Sequence, residues 1–179
     1  SSAGIWYITG QTQEAWYPNT SGCSATNELC YRPDDLFIDD SRVLPVASIS
    51  AVTSSTFFFD YPNDTIYIGV DPSGKTIEAS VANYAFVSTG TNHNVTIRNF
   101  VIEKYANPIQ RGVIQGNLNG VRSTGWTVEH NDIRFNHAGG IYASDDWIVR
   151  YNKVFNNGQI GIKAAGDDAH FSWNEVAYN

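Results

Sequence analysis

Two acidic pairs have a spacing that can do chemistry: Asp145-Asp146 and, 22 positions on, Asp167-Asp168. Carboxylates brought close together repel unless they are protonated or bridged by a cation. Three readings fit such a set. A Ca²⁺ ion takes oxygen ligands and suits clustered carboxylates. A carboxylate pair is also what glycoside hydrolysis requires. Aspartate is, in addition, an ordinary turn residue. The four histidines are His93, His130, His137 and His170, and no zinc spacing links them. There is no Ser/His/Asp triad signature and no glycine-rich phosphate loop. His137 is the histidine kept as a functional candidate.

Cys23 and Cys30 lie in a polar, turn-rich stretch with six residues between them. Two thiols with no histidine nearby are too few for a metal site. A disulfide is the expected state, with free thiols as the alternative, and it implies an oxidising, extracytoplasmic setting. Sequons at Asn19, Asn63 and Asn94 give the capacity for glycans in a host that adds them.

The elements that would position these groups show themselves as a repeat. Trp126-Thr127-Val128-Glu129-His130-Asn131 aligns with Trp147-Ile148-Val149-Arg150-Tyr151-Asn152, and again with Ala169-His170-Phe171-Ser172-Trp173-Asn174. The steps are 21 and 22 residues. A second block runs in phase: Gly120-Val121-Arg122-Ser123, Gly140-Ile141-Tyr142-Ala143, Gly161-Ile162-Lys163-Ala164. An earlier, looser copy is Val95 to Ile102, and about ten extra residues separate it from Gly120. Apolar and polar residues alternate within each copy, the mark of strands with one buried face. Strands this short cannot bury that face alone, so copies must stack about 4.8 Å apart into parallel sheets. The Asn131, Asn152 and Asn174 column suits the sharp turn after the strand, since Asn tolerates left-handed backbone. Stacked amides would then form an asparagine ladder.

These motifs resemble the right-handed parallel β-helix of the pectin-lyase-like superfamily. The expected fold is therefore all-β. Residues 81–179 form about four rungs of 21–22 residues, and residues 1–80 form a β-rich N-terminal region with hairpins. The segment from Leu36 to Ser80 resembles the β-rich insert found between early rungs of such proteins. The resemblance implies that substrate lies along the outward side of the Gly-Ile-Tyr-Ala strands and the turns before them. Mapped here, that is a column of Arg122, Tyr142 and Lys163, with His137, Lys104 and Arg111 in the preceding turns. Cations and a proton-abstracting base are what a polysaccharide lyase needs. Solvated outward residues are the plain alternative. The early aromatics, Trp6 and Trp16 among them, read either as a sugar-stacking platform or as a hydrophobic plug of the first rung.

Composition narrows the function. With 11 Lys and Arg against 18 Asp and Glu, the net charge of −7 argues against nucleic acid as a partner. No apolar run is long enough to cross a membrane. The expectation is a secreted or cell-surface domain that binds or processes polysaccharide. If it is an enzyme, it is a polysaccharide lyase or glycoside hydrolase. No cofactor is expected beyond a possible Ca²⁺. The alternative is a structural or adhesive module that self-associates through an open β-helix end. The chain contains no Met and stops inside a repeat. It is thus expected to be a segment of a longer secreted β-helix, or a subunit completed by another copy.

Overall fold

A computed structural model describes residues 4–14, 23, 29–90 and 92–179. Trp16 and Asn19 lie outside the described residues. Two compact units divide the chain, Ser1–Val81 and Ala82–Asn179.

The first unit is a six-stranded sheet. Its strands are β1 (Trp6–Thr9), β2 (Leu36–Ile38), β3 (Ser41–Pro45), β4 (Thr56–Asp60), β5 (Thr65–Ile68) and β6 (Ile77–Ala79), in the order β1-β5-β4-β3-β2-β6. Both hairpins expected from the sequence are present. In one, β4 and β5 pair antiparallel with Phe57 opposite Ile68 and Phe59 opposite Ile66. In the other, β2 and β3 pair through Ile38 and Ser41. Its two turn residues, Asp39 and Asp40, both take positive φ, 49° and 61°, as a tight hairpin turn requires. The Asp39 carboxylate accepts from Thr76 N and Lys75 Nζ, both at 3.0 Å, which ties the entry of β6 to this turn. Alternation sends Phe57, Phe59, Ile66 and Ile68 inward onto Leu36 and Val43. Trp6 packs against this same cluster. Cys23 and Cys30 are joined by a disulfide, with their Cα atoms 5.5 Å apart.

The second unit is a parallel β-helix of three sheets, each four strands deep. The first stacks β7 (Phe86–Val87), β10 (Gly112–Gln115), β15 (Gly139–Ala143) and β18 (Ile160–Ala164). The second stacks β8 (Thr96–Arg98), β13 (Thr127–Glu129), β16 (Ile148–Arg150) and β19 (His170–Ser172). The third stacks β9 (Val101–Glu103), β14 (Asp132–Arg134), β17 (Lys153–Phe155) and β20 (Glu175–Ala177). Columns of identical phase fill the interior: Ile97, Val128 and Val149; Ile102, Ile133 and Val154; Ile114 and Ile141. Trp126 and Trp147 stack inside at 4.9 Å.

The corners turn on left-handed residues, and here the structure corrects the sequence reading. The residues with positive φ are Asn99, His130, Tyr151 and Trp173, not the ladder asparagines that follow the last three. Each ladder amide instead bridges rungs. Asn131 Nδ2 donates to Asn152 Oδ1 and Asn152 Nδ2 to Asn174 Oδ1, both at 3.0 Å. A second ladder, Asn136–Asn157–Asn179, spans the next corner with amide bonds of 2.9 and 2.8 Å. Both ladders supply partners to buried backbone groups that no strand reaches.

The ten additional residues fall in two places. From Val101 to Gly112 is 11 positions where later rungs take seven, and from Gly112 to Thr127 is 15 where the next rung takes nine. The second excess is a hairpin of β11 (Asn117–Leu118) and β12 (Val121–Arg122).

Candidate functional site

The hairpin changes which residues share a face. The strand in register with Gly139–Ala143 is Gly112-Val113-Ile114-Gln115, not Gly120-Val121-Arg122-Ser123. The outward column is therefore Gln115, Tyr142 and Lys163. Arg122 is outside it. Sheet register follows burial. Val113 and Ile114 are wholly buried, whereas Val121 is half-buried and Arg122 exposed.

Gln115 cannot meet a ligand either. Its side chain is fully buried, accepting from Gly112 N at 2.9 Å and donating to Asn117 O. The hairpin thus covers one end of the column. Arg111, from the loop before β10, lies on the same side, and its Nη1 donates to Asn117 O of the hairpin at 3.5 Å. Gln110, Arg111, Tyr142 and Lys163 border one small depression, with Gly112, Gly139 and Ile141 beneath it, that is too tight to admit a water molecule. Gly112 has no room for a side chain, since a Cβ there would meet Tyr142 N at 2.5 Å.

The chemistry of this lining is cationic and aromatic. Lys163 Nζ lies 4.7 Å from the Tyr142 ring centroid, within range of a cation–π contact. Gln159 Oε1 accepts from Gln110 N at 2.7 Å and ties the loop end to the rung after the next, across the β15 rung. No carboxylate is among the residues lining the depression. The side chains around it, Lys163 and Tyr142 among them, supply donors and an aromatic ring to the surface rather than an acid pair.

The remaining candidates lie elsewhere. Arg122 Nη1 pairs with Asp145 Oδ1 at 3.1 Å, which joins the arginine to the acidic turn rather than to Tyr142. That turn is built by its aspartates. Asp146 and Asp168 both take φ of 56°, in the corner column of Asn94 and Gly125, and Asp167 N donates to Asp145 Oδ1 at 3.0 Å. Among the described residues no group of three or more His, Cys, Asp or Glu is placed to hold a metal ion. The spacing of the two pairs matches the rung period, and Asp146 and Asp168 hold the left-handed position of the turn. His137 follows the second ladder and is half-buried, its N–H donating to Tyr105 O at 3.0 Å. Lys104 takes the left-handed corner position that Phe135, Asn156 and Tyr178 take in later rungs. Neither lines the depression. Asn63 and Asn94 are exposed in turns.

One further surface follows from the repeat's aligned column before the ladder asparagines. His130, Tyr151 and Trp173 stack at 5.0 and 4.9 Å along the corner before the first ladder. Trp173 ends the stack and is the most exposed of the three, at 72%.

Fold and face together define a parallel β-helix protein with an outward cationic–aromatic depression. No family model matches the chain, and no curated protein does. Among solved structures it is similar to XylC in its complex with xylose, with a TM-score of 0.74 and 14% identity over 97% of this chain. The chain spans 40% of the length of that protein. At this identity the likeness is one of fold. Among the described residues no helix is long and apolar enough to cross a membrane.

Proposed function

We propose that this chain is an extracytoplasmic β-helix domain that binds polysaccharide along the outward face of β10, β15 and β18. The observation that carries the reading is the convergence of Arg111, Tyr142 and Lys163 on one face. The likeness to XylC, which was solved with xylose, supports a sugar ligand. The disulfide supports the compartment. Tyr142 supplies a ring for the C–H face of a sugar, and the two cations donate to hydroxyls or to a uronate carboxylate. Retention on immobilised neutral and acidic polysaccharides tests this, with Tyr142→Ala and Lys163→Ala expected to weaken it. Unaltered retention in both variants refutes the face. Release of reducing ends or of an unsaturated product in the same mixtures would extend the reading to hydrolase or lyase.

A second reading is a structural or adhesive module. In the last rung Phe171, Trp173, Val176 and Tyr178 are exposed, and β18, β19 and β20 each pair on one side. Such an edge accepts another rung or another copy. Light scattering distinguishes the cases: a concentration-independent monomer rules out self-stacking.

A further inference from the structure

The first unit holds a cavity that the β-helix face does not explain. Strand β3 ends at Pro45, so its pairing with β4 stops at Phe57. Beyond that point β4 has β5 on one side and no strand on the other. Val46 N still donates to Phe57 O at 2.8 Å. By strand alternation the backbone groups of Phe59 point the same way, toward the gap. The segment after the disulfide closes that gap. The result is a cavity of about 160 Å³ whose polar lining is Tyr31, Arg32, Asp34 and Tyr61. Its apolar walls include Phe57, Phe58 and Phe59.

The polar groups are held in place by one another. Tyr61 OH donates to Asp34 Oδ2 at 3.1 Å. The Arg32 guanidinium lies 4.0 Å over the Tyr61 ring, and Phe59 stacks on that ring at 4.1 Å. Asp34 is 3% exposed. Burial, and then the Asp34 charge, push the Tyr61 hydroxyl above its ordinary range, so it remains a donor. A carboxylate at the hydroxyl end of Tyr61 and a guanidinium over its ring, with Phe58 and Tyr31 in the same lining, supply an acceptor, donors and aromatic surface suited to sugar hydroxyls and an aliphatic C–H face. The volume is that of about five waters, which is one sugar ring and no more. With Asp34 in the wall, a uronate is disfavoured by charge.

A second feature starts at the same residue. Phe58, Tyr67 and Tyr7 are register partners across β4, β5 and β1 on the outward side of the sheet. Their centroids are 5.9 and 5.8 Å apart, and Tyr7 is 60% exposed. Phe58 belongs both to this row and to the cavity wall.

We propose that the cavity seats one residue of a neutral linear glycan and that the aromatic row carries the residues next to it. The site is separate from the β-helix face and does not rest on it. Titration calorimetry of the whole chain with xylose, short xylo-oligosaccharides, short gluco-oligosaccharides and short galacturonate oligomers tests the assignment. Neutral oligosaccharides are expected to bind more tightly than the single sugar. Ala47→Trp, on an exposed lip of the cavity, should abolish short-oligosaccharide binding. Asp34→Asn and Arg32→Gln should each weaken it about tenfold or more. Tyr7→Ala should weaken the oligosaccharides and leave the single sugar as it was. Circular dichroism and the unfolding midpoint of each variant establish that it folds. If Asp34→Asn does not fold, Ala47→Trp decides the outcome. Short oligosaccharides that bind Ala47→Trp as they bind the wild type overturn the proposal. So does a wild-type preference for galacturonate, or no binding of short neutral sugars. Loss of long-polymer retention in Tyr142→Ala that Ala47→Trp does not share reports on the β-helix face, and loss of short-oligosaccharide binding in Ala47→Trp that Tyr142→Ala does not share reports on the cavity, so either site can fail without the other.

Discussion

Replacing Asn152 by alanine tests whether the asparagine ladder holds the β-helix together or merely decorates it. Asn152 is 1% exposed. Its Oδ1 accepts from Asn131 N and Asn131 Nδ2, both at 3.0 Å. Its Nδ2 donates to Val128 O at 2.9 Å, Arg150 O at 3.1 Å and Asn174 Oδ1 at 3.0 Å. Truncation leaves Asn131 Nδ2 a partner in Ile97 O at 3.0 Å. The Asn131 backbone N–H then loses its acceptor, and Val128 O its side-chain donor. Val128 O keeps its strand partner from β16, so one buried polar group, the Asn131 N–H, is left unmatched, at roughly 1–3 kcal/mol. That is an appreciable part of the roughly 5–15 kcal/mol that holds a domain folded. Asn174 is the comparison. It is half-buried in the outermost rung, where water replaces the lost bonds, and Asn174→Ala should cost about 1 kcal/mol. Asn152→Asp should be no milder than Asn152→Ala. It keeps the acceptor for Asn131 but sets a carboxylate against three oxygens.

The assay is urea unfolding followed by intrinsic fluorescence, since Trp126 and Trp147 are buried in the second unit and report on it. The expected order of destabilisation places Asn152→Ala above Asn174→Ala. A loss below about 1 kcal/mol for Asn152→Ala, or equal losses at the two positions, refutes the reasoning. The first outcome would mean that relaxed backbone or water satisfies the orphaned group. The second would mean that burial does not set the cost.

Three further changes follow from the same structure. Gly116→Ala puts a Cβ 2.5 Å from Trp147 Cζ2 and 3.0 Å from Ser144 Cβ, so it should destabilise the second unit by about 1–3 kcal/mol, read from the same urea curves. Arg122→Ala breaks an exposed pair with Asp145, so it should shift stability by less than about 1 kcal/mol and leave polysaccharide retention unaltered. A loss of retention would restore Arg122 to the site. The Thr76 N–H and then Lys75 hold the Asp39 carboxyl below its ordinary range. Its contribution is thus fully present above the unfolded aspartate value and is lost as pH falls through the lower folded one. Asp39→Asn should flatten the acid side of the stability–pH curve of the first unit, measured by thermal unfolding. An unaltered slope counts against that role.

Where the sequence is legible, a period is visible in several copies at once. Val128, Val149 and Phe171 share a phase because stacked strands in register demand it, and one alignment reveals three rungs. The hairpins of the first unit are legible for a local reason: β-branched and aromatic runs flank turn residues. The turn itself falls one residue earlier than the asparagine column suggests. Asparagine is the common left-handed residue, yet here its amide is worth more facing the buried backbone, and His130, Tyr151 and Trp173 take the strained position. Asn136, Asn157 and Asn179 repeat at the same 21- and 22-residue steps, so the spacing alone could have revealed the second ladder.

The candidate face is half legible, and the reason is physical. Gly120-Val121-Arg122 resembles a rung strand in composition, and local pattern has no means of rejecting it. What rejects it is that only one segment can occupy the register beside Gly139–Ala143, and the segment that buries more apolar surface takes it. Val113 and Ile114 vanish from solvent there, and the segment with the rung-like composition is pushed out as a hairpin. Tyr142 and Lys163 can be read because they sit in uninterrupted rungs. Arg111, legible from the turn before the strand, stays near the face, whereas Arg122 leaves it because an insertion decides which side chain meets the face, and insertions leave no period. The cavity of the first unit is the extreme case. Arg32, Asp34 and Tyr61 come together only because β3 stops pairing at Phe57, before β4 ends, and no spacing in the chain encodes where a neighbouring strand stops.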